Sequence, residues 1–259
     1  MRIIDLPRLY YIPNQGAQLT ASQDFIKQIV SGIESSFPRA DTAGTWTLSH
    51  RMLRDVPPYK EHGQTDYAHA YQHLLHVSTV SPDRTYNLIQ YPPQTTQKDI
   101  PQAAVASIPL AQTDTHFAFL VNQLPLLWAP QRVLDIPNGK IYQAGDFLIH
   151  IGEFRSRRQA STGVPSSPAV VVCISTEVGG PEDEVEGPST GADESITDFD
   201  YAQESIRELW NAIKKDATFS RDEIPIREFM QLAQDPGHDK ELGREAVVRM
   251  WCAALSPRA

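Results

Sequence analysis

Apolar residues alternate with polar ones in some stretches of this chain and recur every three or four positions in others, and each rhythm implies a different element. Arg8 to Ile12 (RLYYI) is rich in aromatic and β-branched residues and runs into Pro13-Asn14-Gln15-Gly16, which is strand followed by turn chemistry. A helix follows, which Thr20 or Ser22 can cap, with Phe25, Ile26, Ile29, Val30 and Ile33 at helical spacing until Pro38. Gly44 to Val56 then alternates: Trp46, Leu48 and His50 face one way, Thr45, Thr47 and Ser49 the other, and Pro57-Pro58 ends the strand. Tyr71 to Val80 and Arg84 to Tyr91 flank Ser81-Pro82-Asp83 as a hairpin of neighbouring strands.

Val105 to Leu110 is a short apolar run, after which Thr113 or Asp114 opens a second helix with Phe117, Leu120, Val121 and Leu124 on one face. Apolar character persists past Pro125 through Leu126, Leu127 and Trp128. Arg132 to Ile136 and Lys140 to Tyr142 surround Pro137-Asn138-Gly139, and the Asn-Gly pair supplies the positive φ of a tight hairpin. Phe147 to Phe154 and Ala169 to Val178 complete eight or nine strands. The order strand, helix, strands, helix, strands suggests a duplicated plan. Gly145 and Gly152 bracket a strand in which a bend or bulge is expected.

Gly179 to Asp198 holds Gly, Pro, Ser, Thr and acids with little to bury, the composition of a flexible linker. Beyond it Tyr201, Ile206, Leu209, Trp210 and Ile213 mark an amphipathic helix, Ile226, Phe229, Met230 and Leu232 a shorter one, and Leu242, Val247, Met250, Trp251 and Leu255 a last one near Asp235-Pro236-Gly237. The expected fold is α+β: an antiparallel β-barrel-like core of about eight strands, closed or nearly so, with helices packed outside. Closure would remove the edges that many short strands otherwise expose. The expected domains are a core over 1–178, an acidic linker over 179–198, and C-terminal helices over 199–259.

Charge sharpens this picture once it is located. The net charge is −9, yet Glu177 to Asp200 holds nine acidic residues and no Lys or Arg, leaving 23 acidic against 23 basic residues elsewhere. A neutral body with an acidic segment lacks the broad positive field of non-specific nucleic-acid binding. With no run of roughly 20 apolar residues, no signal-like start, and only Cys173 and Cys252, the chain reads as intracellular and unanchored, without a disulfide framework or cysteine metal site.

Candidate chemistry is sparse. His69, His73 and His76 would share a helical face and could hold zinc, but their neighbours favour a strand, in which His76 points away from the other two and the histidines face solvent. There is no Gly-x-Ser-x-Gly elbow and neither phosphate-cradling glycine pattern. Cys173 lies in an apolar strand where a thiol is inert. A barrel enzyme of the phosphate-tunnel type, acting on polyphosphate or nucleotide ends, would need Glu-x-Glu patterns along several strands, whereas Glu177 stands alone at the end of one. Arg155, Arg157 and Arg158 form a basic loop cluster that reads as solvated. No catalytic, cofactor or metal residue is assigned.

Four stretches together resemble the fungal Mediator subunit 20 family. Leu9-Tyr10-Tyr11-Ile12-Pro13-Asn14 is similar to the family's opening strand and proline turn. Gly44-Thr45-Trp46-Thr47-Leu48-Ser49-His50-Arg51-Met52-Leu53-Arg54-Asp55 is similar to its Gly-x-Trp-x-Leu-x-His-x-x-Leu-Arg-Asp block and is the most specific of the four. Tyr142 with Gly145, Asp146, Phe147 and Gly152 resembles a Tyr-x-x-Gly-Asp-Phe-x-x-x-x-Gly pattern, and Ile206-Arg207-Glu208-Leu209-Trp210 resembles the start of the helical part. The chain departs from the family at Val170 to Glu177, where a Val-Glu-x-Glu ending is usual, and in its long acidic insert.

The resemblance implies a non-catalytic, nuclear subunit of the Mediator head module. It would pair directly with Mediator subunit 18, be placed through the tail of subunit 8, and help relay regulatory signals to RNA polymerase II, with a link to the TATA-binding protein. Neither a membrane nor sequence-specific nucleic acid is among the implied partners. Contiguous exposed apolar area marks interfaces, and the expected carriers are one barrel face and the last helix around Met250 and Trp251.

Overall fold

The alternating stretches become strands and the periodic ones helices. In the computed structural model the order is β1 (Ile3–Pro13), α1 (Leu19–Ser36), β2 (Asp41–Asp55), β3 (Tyr71–Val77), β4 (Arg84–Gln90), β5 (Ala103–Pro109), α2 (Thr113–Gln123), β6 (Trp128–Ala144), β7 (Phe147–Ser156), β8 (Ser166–Gly179), α3 (Gly191–Asp216), β9 (Arg227–Met230) and α4 (Lys240–Leu255). The structure describes residues 3–14, 16–57, 67–92, 103–156, 166–179, 191–216, 225–230 and 240–256. The acidic residues 180–190, Arg157, Arg158, Leu232 and the Asp235-Pro236-Gly237 turn lie outside these.

The fold is α+β, built on one antiparallel sheet of nine strands in the order β5-β4-β3-β2-β6-β7-β8-β1-β9. That order has two ends, so the expected closed barrel is in fact an open sheet and the term barrel-like holds only approximately. One end is taken by a segment expected to be helical. Arg227 to Met230 extends as β9 along β1, pairing Arg8 with Met230 and Tyr11 with Arg227. The open edge of β1 offers those residues backbone partners that a one-turn helix could not supply.

The chain forms two compact units: Met1–Trp46, Asn138–Phe154 and Ser166–Ala259 make the first, Thr47–Pro137 and Arg155–Pro165 the second. In the first unit β1 and β8 pair along their length, Leu9 opposite Cys173 and Tyr11 opposite Val171. Tyr10, Ile12, Ile149, Ile151, Val170, Val172 and Ile174 meet Ile29 and Ile33 of α1 and Ile206, Leu209, Trp210 and Ile213 of α3 in one buried core. The Tyr10 and Trp210 rings stack with centroids 4.5 Å apart. Gly32 lets α1 approach α3, since a Cβ there would lie 2.4 Å from the Ile213 carbonyl oxygen. Buried Arg8 ties three elements: its Nε is 3.0 Å from Glu228 Oε1 and one of its terminal N–H groups donates to the Gln203 carbonyl at 3.1 Å.

In the second unit β3 pairs with β2 and β4, and β4 with β5, all antiparallel. The apolar face of α2 covers this sheet. Leu120 is buried against Leu53 and Leu74, with Phe117, Val121, Leu124 and Trp128 packed around them.

Local signals failed at several points for physical reasons. Asn138-Gly139 makes no turn: β6 continues unbroken from Trp128 to Ala144. Gly139 is used for close approach instead, because a Cβ there would sit 2.2 Å from Trp46 Nε1. Gly139→Ala is therefore expected to cost about 1–3 kcal/mol through overpacking, read as a lowered urea midpoint; unchanged stability would mean that the indole moves aside freely.

The tight turn lies at Gly145, whose φ is +61°, while Gly152 lacks positive φ and continues its strand. Neither Thr20 nor Ser22 caps α1, whose cap position is taken by Gln18 without a side-chain bond. Asn14 Nδ2 instead donates to the Gln18 carbonyl at 2.8 Å and to Ser22 Oγ at 2.9 Å. Likewise α2 has Gln112 at its cap position with no side-chain bond, and Thr113 Oγ1 bonds Thr85 Oγ1 at 2.6 Å. The helix α3 begins at Gly191, inside the stretch expected to be linker. Tyr201, expected on its buried face, is 75% exposed, and Phe147 is half-buried at the core's margin.

Candidate interaction surface

The residues singled out in the sequence serve mainly to hold the fold. Trp46 and Leu48 are buried, and Trp46 Nε1–H donates to the Ile151 carbonyl at 3.1 Å. Leu53 is in the α2 core, Arg54 is half-buried, and Tyr142 and Gly152 are buried. Gly145 and Asp146 sit at an exposed turn, where the Asp146 carbonyl accepts a bond from Thr176 Oγ1 at 3.2 Å. Arg207 is exposed and pairs with Glu204 on its own helix, whereas Trp210 is buried.

Met250 and Trp251, expected on a partner-facing surface, are both buried, and the Trp251 ring lies 5.8 Å from that of Trp46. The apolar stripe of α4 is used inside the first unit.

The three spaced histidines do not converge and do not face solvent. β3 is buried on both faces, so His73 and His76 are both interior. His73 Nδ1 meets His50 Nε2 at 2.9 Å, His76 Nδ1 donates to the Arg84 carbonyl at 2.9 Å, and His69 Nδ1 donates to Asp55 Oδ1 at 2.7 Å. Burial, then the neighbouring His73 and Arg132, holds His50 well below the ordinary imidazole range. Burial and Arg132 lower His73 to about 4, against an opposing hydrogen bond from Gln90. Among the described residues no three His, Cys, Asp or Glu side chains are grouped to hold a metal ion. Burial pushes the Cys173 thiol up to about 12 and raises Cys252 further, which leaves both without a reactive thiolate at neutral pH.

One cavity of about 240 Å³ in the second unit is lined by Ser49, Arg51, Leu74, His76, Leu110, Thr113 and Asp114. Its two formal charges satisfy each other: Arg51 pairs with Asp114 and lies 4.9 Å from the centre of the Phe117 ring.

The surface offers more than the interior. Leu126 is 83% exposed and Leu127 57%, in the turn after α2, and Val56 and Tyr67 are partly exposed beside them. Val56 is tied to this turn, its N–H donating to the Leu127 carbonyl at 2.9 Å, and Tyr67 O–H donates to Oδ2 of Asp55, the residue before Val56, at 2.6 Å. Asp55 thus positions both Tyr67 and His69, whose rings meet edge to face at 4.9 Å. The Asp55 carboxylate raises the Tyr67 pKa, first through the hydrogen bond it accepts, then with burial and charge. Motif residue Asp55 was legible in the sequence, but the patch was not. Its one signal is a pair of leucines after Pro125 with no periodic partner.

Compared with known proteins, the chain matches over residues 9–248 a family model described as TATA-binding related factor (TRF) of subunit 20 of Mediator complex. No curated protein matches it. Among the described residues no helix is long and apolar enough to cross a membrane.

Proposed function

The chain belongs to the Mediator subunit 20 family, since that match takes in nearly all of it, and from this premise we propose that it is a structural and interaction subunit of the head module, paired directly with Mediator subunit 18. As a Mediator subunit it is a non-catalytic component of a nuclear transcription complex and associates with other Mediator subunits. In the proposed arrangement the tail of subunit 8 secures the pair, and the assembly relays regulatory signals to RNA polymerase II and the TATA-binding protein. The 1–178 core and the later helices would act together as one scaffold.

The observation that carries the assembly role is the exposure of Leu126 and Leu127 in the turn after α2, with exposed Val56 tied to the Leu127 carbonyl. Contiguous apolar surface of this kind is costly to leave in water and marks a docking site. The competing phosphate-tunnel enzyme calls for several inward charges along the strands. Among the described strand residues Arg8 is the one fully buried formal charge, and Glu228 and the Gln203 carbonyl engage it.

Co-expression with subunit 18 followed by size-exclusion chromatography tests the proposal. The pair is expected to co-elute one to one, with more than about 1,000 Å² buried. Leu126→Glu with Leu127→Glu should abolish co-elution while changing stability by no more than about 0.5 kcal/mol, since neither side chain is in the core. A wild-type chain that stays monomeric beside subunit 18 would reject the head-module role; a double variant that still co-elutes would move the contact elsewhere.

A further inference from the structure

The two ends of the sheet are treated in opposite ways. At one end β9 is four residues long, carries Arg227 and Glu228, and is tied to α4 by an Arg227 N–H bond to the Ala254 carbonyl at 3.4 Å. The Arg227 guanidinium also lies over the Tyr11 ring at 4.3 Å. Short length, charge and a covering helix are the devices by which edge strands avoid pairing with other chains.

Among the described residues the other end lacks these three devices, although Pro109 closes its strand. β5 (AAVASIP) is seven residues long and uncharged, and none of its residues is fully buried. β4 pairs along its whole inner edge, from Arg84 opposite Pro109 to Gln90 opposite Ala103. Its outer edge from Ala104 to Pro109 has no strand beside it among the described residues. Alternate backbone groups of a strand in an antiparallel pair point away from the partner, so this edge presents a row of donors and acceptors. Ala104, Ala106 and Ser107 are small and exposed, which lets a second backbone come close.

Among the described residues one charged side chain is bonded to this strand, and Asp83 lies beside it, its carbonyl accepting from Leu110 N–H at 2.8 Å. Arg84 is exposed, and its guanidinium donates to Ser107 Oγ at 3.3 Å, placing a cation beside an otherwise neutral strand.

We propose that β5 is a docking strand, onto which an extended segment of another subunit adds as a further strand of the sheet. Main-chain hydrogen bonds would supply the attraction. The segment is uncharged and rich in β-branched residues where it lies along Ala104 to Ser107, and it carries a carboxylate that meets Arg84. The proposal rests on the assembly role above, and it concerns a surface separate from Leu126 and Leu127.

Amide hydrogen exchange tests it, on the full chain alone and in the complex with its partner subunits. The outward-facing amides of β5 are expected to exchange fast in the free chain and at least about tenfold more slowly in the complex. Lysines at the exposed positions, Ala104→Lys with Ala106→Lys, should remove that protection without lowering the chain's melting temperature, and Arg84→Glu should weaken it. A complex that forms with β5 exchange unchanged overturns the inference and leaves the assembly role intact. Failure of the complex to form removes both. Protection that grows with the concentration of the free chain would make a second copy the occupant, and protection unaffected by Arg84→Glu would remove the carboxylate.

Discussion

Trp46→Ala is expected to lower unfolding free energy by about 3–5 kcal/mol, a large share of the roughly 5–15 kcal/mol typical of a folded domain. The residue is 1% exposed. Its ring meets the His150 edge at 5.9 Å and Trp251 at 5.8 Å, and rests on Gly139, which has no side chain to fill the space left behind. Truncation therefore leaves a cavity that neither a strand nor a short side chain can collapse into, and it removes the bond to the Ile151 carbonyl. Trp46→Phe separates the two effects: it retains much of the ring area and should cost about 1 kcal/mol for the lost hydrogen bond plus a modest packing loss. Urea unfolding followed by circular dichroism measures both. An alanine variant with the wild-type midpoint would place Trp46 outside the core.

Acid should be the second strong perturbation. Burial lowers His150 to about 4, against the opposing bond from the Cys173 backbone, and His50 and His73 are depressed as well. A histidine depressed in the folded state stays neutral there while the unfolded chain takes up a proton near the ordinary value of about 6.5. Stability is thus flat above about pH 6.5 and falls as pH drops toward 4, by up to about 1.4 kcal/mol per pH unit for each histidine. For His73 and His150 the loss across that window is about 3 kcal/mol each by the same linkage. Urea midpoints from pH 7.5 to 4.5 would trace the fall, and His73→Gln should reduce its slope by about one proton. A profile without slope between pH 6.5 and 5 would mean that these imidazoles are open to protonation in the folded chain.

Facing and periodicity were legible where one side of an element meets water. The alternation Trp46, Leu48, His50 against Thr45, Thr47, Ser49 matches the burial along β2, and the helical spacing of Ile29 and Ile33, or of Ile206, Leu209, Trp210 and Ile213, matches the core. The rule fails on β3, because both its faces are covered and its histidines have no wet side to occupy. Long-range packing also overrides local chemistry. Asn138-Gly139 carries a turn signature, but the Trp46 indole occupies the space above Gly139. Ile226 to Met230 has helical spacing, but the edge of β1 is available to pair with it. An amphipathic stripe such as that around Met250 and Trp251 records that something covers it, not whether the cover is the chain itself or another protein. For the same reason Leu126 and Leu127 could be located only once α2 and its turn were in place.

The pairing of β1 with β8 governs how the chain can be made. Arg8 and the Gln203 carbonyl it binds are 195 residues apart in sequence, and Leu9 waits for Cys173. During synthesis the first strand emerges long before its neighbours exist, and such non-local closure is slow. For that interval Leu9, Tyr10, Tyr11 and Ile12, buried in the folded chain, are an unpaired apolar β segment of the kind that is prone to aggregate. Each compact unit is also stitched from separate pieces of chain, with seams inside β2, β6 and β7. A chain that stops before β8 therefore lacks pieces that both β1 and its unit are built with.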